Sequence, residues 1–303
     1  MQAPAIFAPM LKTRIAPTPS GYLHAGNGAS FLLTWLIATA AGGKILLRID
    51  DLDNDRARPE YIEDLFRSLE WLGIETDEGP SGPGDFHEHW SQNHRLEDYF
   101  HLLQLVEQKG LLFGCDCTRS RLPVGPYPGT CQNKAIPLHS PEVAWRIRLD
   151  SSSSVEFSDL MMGEVECDLK NETGPFVVKS RTGRPAYQVA SLSDDVRFGI
   201  NFIVRGSDLL TSTACQMYLA SASGKREFHQ TRFLHHPLVT GGDDIKLSKS
   251  AGSASLKSLR ESGGSVILIY RIVADWLGIE TNGDSVETLK DRILKEIHQR
   301  GWK

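Results

Sequence analysis

Long apolar runs are missing from this chain of 303 residues. Nothing in it approaches the roughly 18 uninterrupted apolar residues of a membrane-spanning helix, and nothing reads as a signal peptide, so neither secretion nor membrane insertion is expected. Cysteine is scarce as well, with five in all. In a chain without a secretory signal, that number argues for a reduced, cytoplasmic protein and against a disulfide scaffold. Internal repeats are absent, and the one low-complexity patch, Ser151 to Ser154, reads as a loop tip. Net positive charge is lacking too, the formal total being −5. Residues 50 to 98 alone carry 15 Asp or Glu against four Arg, so the remainder of the chain holds a net +6. A basic face away from the acidic stretch is therefore available, as nucleic-acid binding needs.

What is present is a core. The hydrophobic fraction is 40%, and the 15 prolines and 27 glycines are spread through the chain and not gathered into a linker, which fits a soluble globular protein. Leu11 to Ala16 reads as a strand, broken by Pro17, Pro19 and Gly21. The apolar run Phe31 to Ile37 then follows at helical spacing. This places His24 and Gly26 at a strand-to-helix turn, where unpaired backbone N–H groups suit a triphosphate. Gly26 and Gly28 do not make a dinucleotide fingerprint, because the third glycine is missing.

Lys44 to Asp53 begins as a buried strand and ends in carboxylates, at the strand end where open α/β sheets bind ligands. A helix is expected from Pro59 to Leu72, with proline at its start and Gly73 past its end, and another near Ser91 to Lys109. Strand-like pieces such as Ala144 to Leu149 follow, and parallel α/β character resumes at Arg184. The last part of the chain is helical, from Ser265 through Leu277 and from Ser285 to Arg300. Cys115, Cys117 and Cys131, with Tyr127, offer three thiolates and a phenol, enough for a tetrahedral zinc site on a ribbon-like insert. Spacing alone leaves that question open. Cys167 and Cys215 read as small buried hydrophobes.

Two motifs carry the functional reading, His24-Ala25-Gly26-Asn27 and, far downstream, Lys246-Leu247-Ser248-Lys249-Ser250. Between them lie Tyr187-Gln188-Val189-Ala190-Ser191 and Val204-Arg205-Gly206-Ser207-Asp208. In this order the four blocks resemble the class I aminoacyl-tRNA synthetases, and within them the glutamyl branch. The resemblance implies an α/β fold: a Rossmann-type nucleotide-binding domain split between residues 1–112 and 180–240, an insert over 113–179 with the candidate zinc site, and a lysine-motif loop and helical stem over 241–303. It implies His24, Lys246 and Lys249 as catalytic residues. ATP, as its magnesium complex, would meet His24, Gly26, Asn27, Lys246, Ser248 and Lys249. Glutamate would be held by the first block, Arg14, Ile15, Ala16, Pro17 and Thr18, together with Asp50, Tyr187, Ser191 and Arg205. Asp50 stands where the branch has a glutamate that binds the substrate amino group, Asn27 replaces a histidine, and Ser250 ends the lysine motif unusually.

The cysteine insert resembles that of the shortened glutamyl-queuosine tRNA(Asp) synthetases, where Cys115, Cys117, Tyr127 and Cys131 would hold one structural Zn2+. No anticodon-binding domain is expected after the last helices. The implied activity is ATP-dependent formation of glutamyl-adenylate and transfer of glutamate to the queuosine base in the anticodon of tRNA(Asp), by a cytoplasmic monomer without membrane contact. Two other readings stand beside it: a minimal synthetase charging tRNA(Glu), and a non-catalytic paralogue that binds tRNA or glutamate.

Overall fold

A computed structural model describes residues 10–52, 57–118, 122–150, 153–239 and 255–302. Strand β1 (Lys12–Ile15) pairs in parallel with β2 (Lys44–Leu47), Lys12 opposite Lys44 and Ile15 opposite Leu47. Between them runs α1 (Ala25–Ala41), which ends where Gly42 takes the left-handed conformation at φ 59°. Pairing continues past the two strands, the Arg48 N–H donating to the Ile15 carbonyl and the Asp50 N–H to that of Pro17, both at 2.9 Å. Arg48 and Asp50 thereby stand at the carboxyl end of the sheet.

Helix α2 (Pro59–Leu72) has the expected bounds, with proline in its first turn and Gly73 at φ 67° closing it. The next helix starts later than its sequence suggests. Ser91 caps a single tight turn, Gln92–Arg95, and only then does α3 (Leu96–Gln108) begin. The reason lies in Asp51, which takes the Ser91 hydroxyl at 2.6 Å and the Gln92 N–H at 2.7 Å and so holds this entry in place.

The segment expected to form one insert divides between two sheets. Strands β3 (Leu112–Cys115) and β4 (Ala144–Ile147) pair antiparallel, and β7 (Val177–Lys179) adds to the far side of β4. The hairpin β5 (Ser154–Asp159) and β6 (Gly163–Asp168) lies elsewhere. After it come α4 (Tyr187–Arg197), β8 (Phe202–Gly206), α5 (Leu210–Ser223) and β9 (Arg232–His236). β8 and β9 are parallel, and Asp159 of β5 pairs with Phe233 of β9, so the hairpin extends the parallel sheet. On the other side β8 lies beside β1, the Asn201 N–H donating to the Lys12 carbonyl at 3.0 Å.

The chain closes with α6 (Leu256–Glu261), α7 (Ile267–Trp276) and α8 (Val286–Gln299). These helices pack onto α1. Ile269, Val273, Leu289 and Ile293 share one core with Leu32, Leu33, Leu36 and Ile37 of α1, all fully buried. At about 1.5–3 kcal/mol for each large apolar side chain buried, this two-sided packing fixes α1 and with it the turn that carries His24. Among the described residues no helix is long and apolar enough to cross a membrane.

Candidate active site

A cleft of about 760 Å³ opens at the carboxyl ends of β1 and β8. Arg14, Ile15, Ala16, Pro17 and Thr18 line it, together with His24, Gly26, Asn27, Tyr187 and Arg205. Residues from the first strand and its turn, from the His24 motif and from the Tyr187 and Arg205 blocks thus meet in one place. The cleft sits where parallel α/β sheets bind ligands, and the N-terminus of the 17-residue α1 opens into it.

His24 is the N-cap of α1. Its Nδ1 accepts the Asn27 N–H at 3.4 Å, while Asn27 Oδ1 accepts the His24 N–H at 3.0 Å, a reciprocal cap that satisfies two of the helix's free donors. Asn27 is therefore a structural partner of His24 as well as a wall of the cleft. Burial lowers the His24 pKa, with Asp208 pulling the other way, which favours the neutral ring. Lys246, Ser248 and Lys249 lie outside the described residues. Both described flanks of that segment reach the cleft: Val239 lines it, and Ser255 pairs with His24 while the Leu256 N–H donates to the Leu23 carbonyl at 2.6 Å.

Beneath the cleft lies a buried network of arginines and aspartates. Arg48 spans Asp50 with two hydrogen bonds, Nε to Oδ1 at 2.7 Å and Nη2 to Oδ2 at 3.0 Å, and gives Nη1 to Asp195 at 2.7 Å. Arg95 grips Asp194 in the same two-point manner at 2.8 and 3.0 Å, and Tyr99 donates to the same carboxylate. Arg14 donates to Asp195 at 3.2 Å and to the Val204 carbonyl at 3.3 Å. Desolvation opposes the charge on Arg48, but Asp50, Asp195 and Asp194 outweigh it and raise the pKa well above normal. At Asp50 burial is the larger influence and pushes the carboxyl up against the pull of Arg48.

This placement bears on two expected glutamate contacts. Asp50 has both oxygens engaged by Arg48 and faces a second cavity, of about 950 Å³, which Thr18 and Tyr187 share with the first. Ser191 is fully buried, and its hydroxyl accepts from Arg48 Nη2 at 3.2 Å instead of reaching the cleft wall.

Arg205 differs from every arginine in that network. It is 4% exposed at the cleft wall, and only Nη2 is engaged, by Thr213 Oγ1 at 2.6 Å and Gln216 Oε1 at 2.9 Å. Its Nε and Nη1 are buried and make no hydrogen bond of ordinary length, the Tyr187 hydroxyl and the Asp195 carboxylate acting on the guanidinium from nearby. Burial lowers its pKa, with Tyr187 pulling the other way and Arg14 adding to the strain. A buried guanidinium with idle donors is costly unless an anion arrives, and carboxylate is its natural complement.

In the insert, the sulfurs of Cys115, Cys117 and Cys131 lie within 4.8 Å of one another, and Tyr127 Oη is 3.4 Å from Cys115 Sγ. A zinc–sulfur bond of about 2.3 Å implies a tetrahedron edge of about 3.8 Å, so the cluster lies within about 1 Å of the spacing the ion needs. Burial and the neighbouring thiols push Cys117 up to about 11, a crowding that a cation would relieve. The three-cysteine cluster could hold a zinc ion. No disulfide forms, all five cysteines being free.

Sequence reasoning missed Arg48, Asp194, Asp195 and Thr213. For Arg48 a signal existed: it lies two residues before Asp50 on an extended segment, so both side chains point to one face. Thr213 and Asp195 carry no local signal, since their roles depend on how α4 and α5 pack.

The family model for the catalytic domain of class I tRNA synthetases (E and Q) matches residues 10–124 and 133–286. The chain belongs to that family. The glutamate tRNA ligase of Elizabethkingia meningosepticum, solved in complex with its amino acid, superposes with a TM-score of 0.67 at 24% identity, over 80% of this chain and 52% of that one, and shares the fold. The Glutamyl-Q tRNA(Asp) synthetase of Nitratidesulfovibrio vulgaris is 36% identical over 271 residues, 84% of this chain and 82% of the relative. Glutamate–tRNA ligase 2 of Syntrophus aciditrophicus is 34% identical over 269 residues, 83% of this chain but 54% of the relative. Within the class I family, then, the chain falls with the glutamyl-Q tRNA(Asp) synthetases, and as a class I ligase it uses ATP.

Proposed function

We propose that the protein condenses glutamate with Mg·ATP and passes the glutamyl group to queuosine in the anticodon of tRNA(Asp). The glutamate α-carboxylate attacks the α-phosphate of ATP and pyrophosphate leaves; a cyclopentene-diol hydroxyl of the base then attacks the adenylate carbonyl, forming the glutamyl ester and releasing AMP and the hydroxyl proton. The observation that carries this reading is the match along 82% of a glutamyl-Q relative, against 54% of a glutamate–tRNA ligase at similar identity.

The site is consistent with the chemistry. ATP would lie at the start of α1 against His24, Gly26 and Asn27, where helix N–H groups and, by resemblance, Lys246, Ser248 and Lys249 stabilise the charge that builds on the phosphates. Arg205, Arg14 and Tyr187 would receive the amino acid, the idle donors of Arg205 taking its side-chain carboxylate. Asp50 is given a supporting role, holding Arg48 and through it Asp195. The second cavity, sharing Thr18 and Tyr187, is the side from which an acceptor can approach the glutamyl carbonyl. Cys115, Cys117, Cys131 and Tyr127 would hold one structural Zn2+, whose part is to tie the two cysteine segments together. The catalytic domain is read as split around the insert at 113–179, and the protein as a cytoplasmic monomer.

Labelled glutamate, with ATP and magnesium, should be transferred to total tRNA from cells that make queuosine and not to tRNA from matched cells that cannot. Equal labelling of both pools would move the reading to tRNA(Glu) charging. Lys249→Ala should cost orders of magnitude in adenylate formation. An unchanged biological activity in that variant would favour a binding protein.

A further inference from the structure

Behind Arg205 a line of buried polar groups runs from the cleft wall into the β5–β6 hairpin. Arg205 Nη2 donates to Thr213 Oγ1 at 2.6 Å, Thr213 Oγ1 lies 2.7 Å from His235 Nε2, and His235 Nδ1 lies 2.7 Å from Asp159 Oδ2. Thr213 and His235 are fully buried and Asp159 nearly so. Three chain segments far apart in sequence supply the line, and none of its members beyond Arg205 borders the cleft.

The direction of each hydrogen bond can be assigned. Asp159 accepts the backbone N–H groups of Met161, Met162 and His235, and although burial opposes its charge these contacts and the His235 ring hold its carboxyl below the usual range. An ionised Asp159 fixes the ring hydrogen on Nδ1. Burial, reinforced by Arg205 and Arg14 against the pull of Asp159, lowers the His235 pKa and leaves Nε2 with a lone pair. Thr213 has a single hydroxyl hydrogen, and Nε2 at 2.7 Å competes for it better than the Leu209 carbonyl at 3.1 Å. The threonine oxygen is then left with lone pairs for Arg205, so every bond in the line points the same way.

That order has a consequence at the cleft. A guanidinium with only one anchored nitrogen can swing unless the anchor is rigid, and here the anchor is oriented by a ring that is itself oriented by a carboxylate. We propose that Asp159, His235 and Thr213 are positioning residues that fix Arg205 with Nε and Nη1 free for the side-chain carboxylate of the substrate, so that the hairpin in the insert helps to set amino-acid specificity. The inference rests on the glutamate reading above. It assigns roles to three residues that never touch the ligand.

The test is glutamate-dependent ATP–pyrophosphate exchange by the full chain bearing Thr213→Val, a change that keeps the shape and removes the hydroxyl. KM for glutamate should rise about ten- to a hundredfold while KM for ATP stays within about twofold, and Thr213→Ser should restore glutamate to within about threefold of the parent. Should Thr213→Val fail to fold, His235→Asn carries the same expectation, since asparagine still reaches Asp159 but not Thr213. A folded variant whose KM for glutamate is unmoved would overturn the proposal, as would a rise in both Michaelis constants together, which marks general distortion. A parent protein that activates a different amino acid would overturn the glutamate reading itself, a result visible before any variant is made.

Discussion

Arg48 and Arg205 are both buried arginines at the carboxyl ends of adjacent parallel strand pairs, and they are treated in opposite ways. Arg48 has its donors taken up by Asp50, Asp195 and Ser191, so its charge is consumed inside the protein. Arg205, in the wall of the cleft, keeps Nε and Nη1 buried and without a hydrogen-bond partner, its one engaged nitrogen resting on neutral oxygens. Burying a charge is costly in either case. Where the protein supplies the counter-charge the arginine is scaffold; where it withholds it, the counter-charge is expected from the ligand.

Opposite substitutions should break this contrast open. Arg48→Met should cost about 3–5 kcal/mol of stability in chemical denaturation, because it strands Asp50 and Asp195 in the interior. If the variant were as stable as the parent, the network would not be the scaffold described. Arg205→Leu should do the reverse: thermal stability kept or raised, with kcat/KM for glutamate reduced by about 2–5 kcal/mol in transition-state terms, or roughly thirty- to several-thousandfold. Loss of folding with little effect on residual kinetics would assign Arg205 to the scaffold too.

Acid should sharpen the distinction further. Burial tends to raise the pKa of Asp194, but the hydrogen bond and charge of Arg95, with Arg48 and Gln92, hold it below the ordinary value. Its contribution to stability is thus complete above about pH 4, the unfolded value, and is lost as pH falls through the lower folded value. Asp194→Asn should flatten that acid limb by about 1–3 kcal/mol. An unchanged slope of unfolding free energy against pH would mean that the carboxylate is not paired as described. The smallest effect is expected at Asp50→Glu, where KM for glutamate should stay within about threefold, less than 1 kcal/mol, because Asp50 serves Arg48. A marked fall in KM would instead put this position on the substrate amino group.

Much of this arrangement was legible before any coordinates, for reasons that differ by element. Helix α2 announced itself through Pro59 and Gly73, whose conformational restrictions act locally. His24 and Gly26 could be placed at a turn because Pro17, Pro19 and Gly21 end the strand within a few residues. The paired state of Asp50 was hidden, since it depends on Arg48 turning inward between β2 and α4, and the burial of Ser191 was hidden for the same reason: its surroundings are set by packing and not by its neighbours in sequence. Nothing in the sequence of the insert tells that its β5–β6 hairpin joins the parallel sheet through Asp159 and Phe233, a long-range pairing with no local signature. The three cysteines, close in sequence, were visible; the Asp159–His235–Thr213 line, assembled from three distant segments, was not.

The contrast between the two arginines is tested most directly by a crystal structure of the protein with a non-hydrolysable glutamyl-adenylate analogue. The ligand's side-chain carboxylate should lie within hydrogen-bond distance of Arg205 Nε or Nη1, with the Arg48–Asp50 pair unbroken. A carboxylate bound elsewhere in the cleft, or an Asp50 released from Arg48 to meet the ammonium group, would contradict the account.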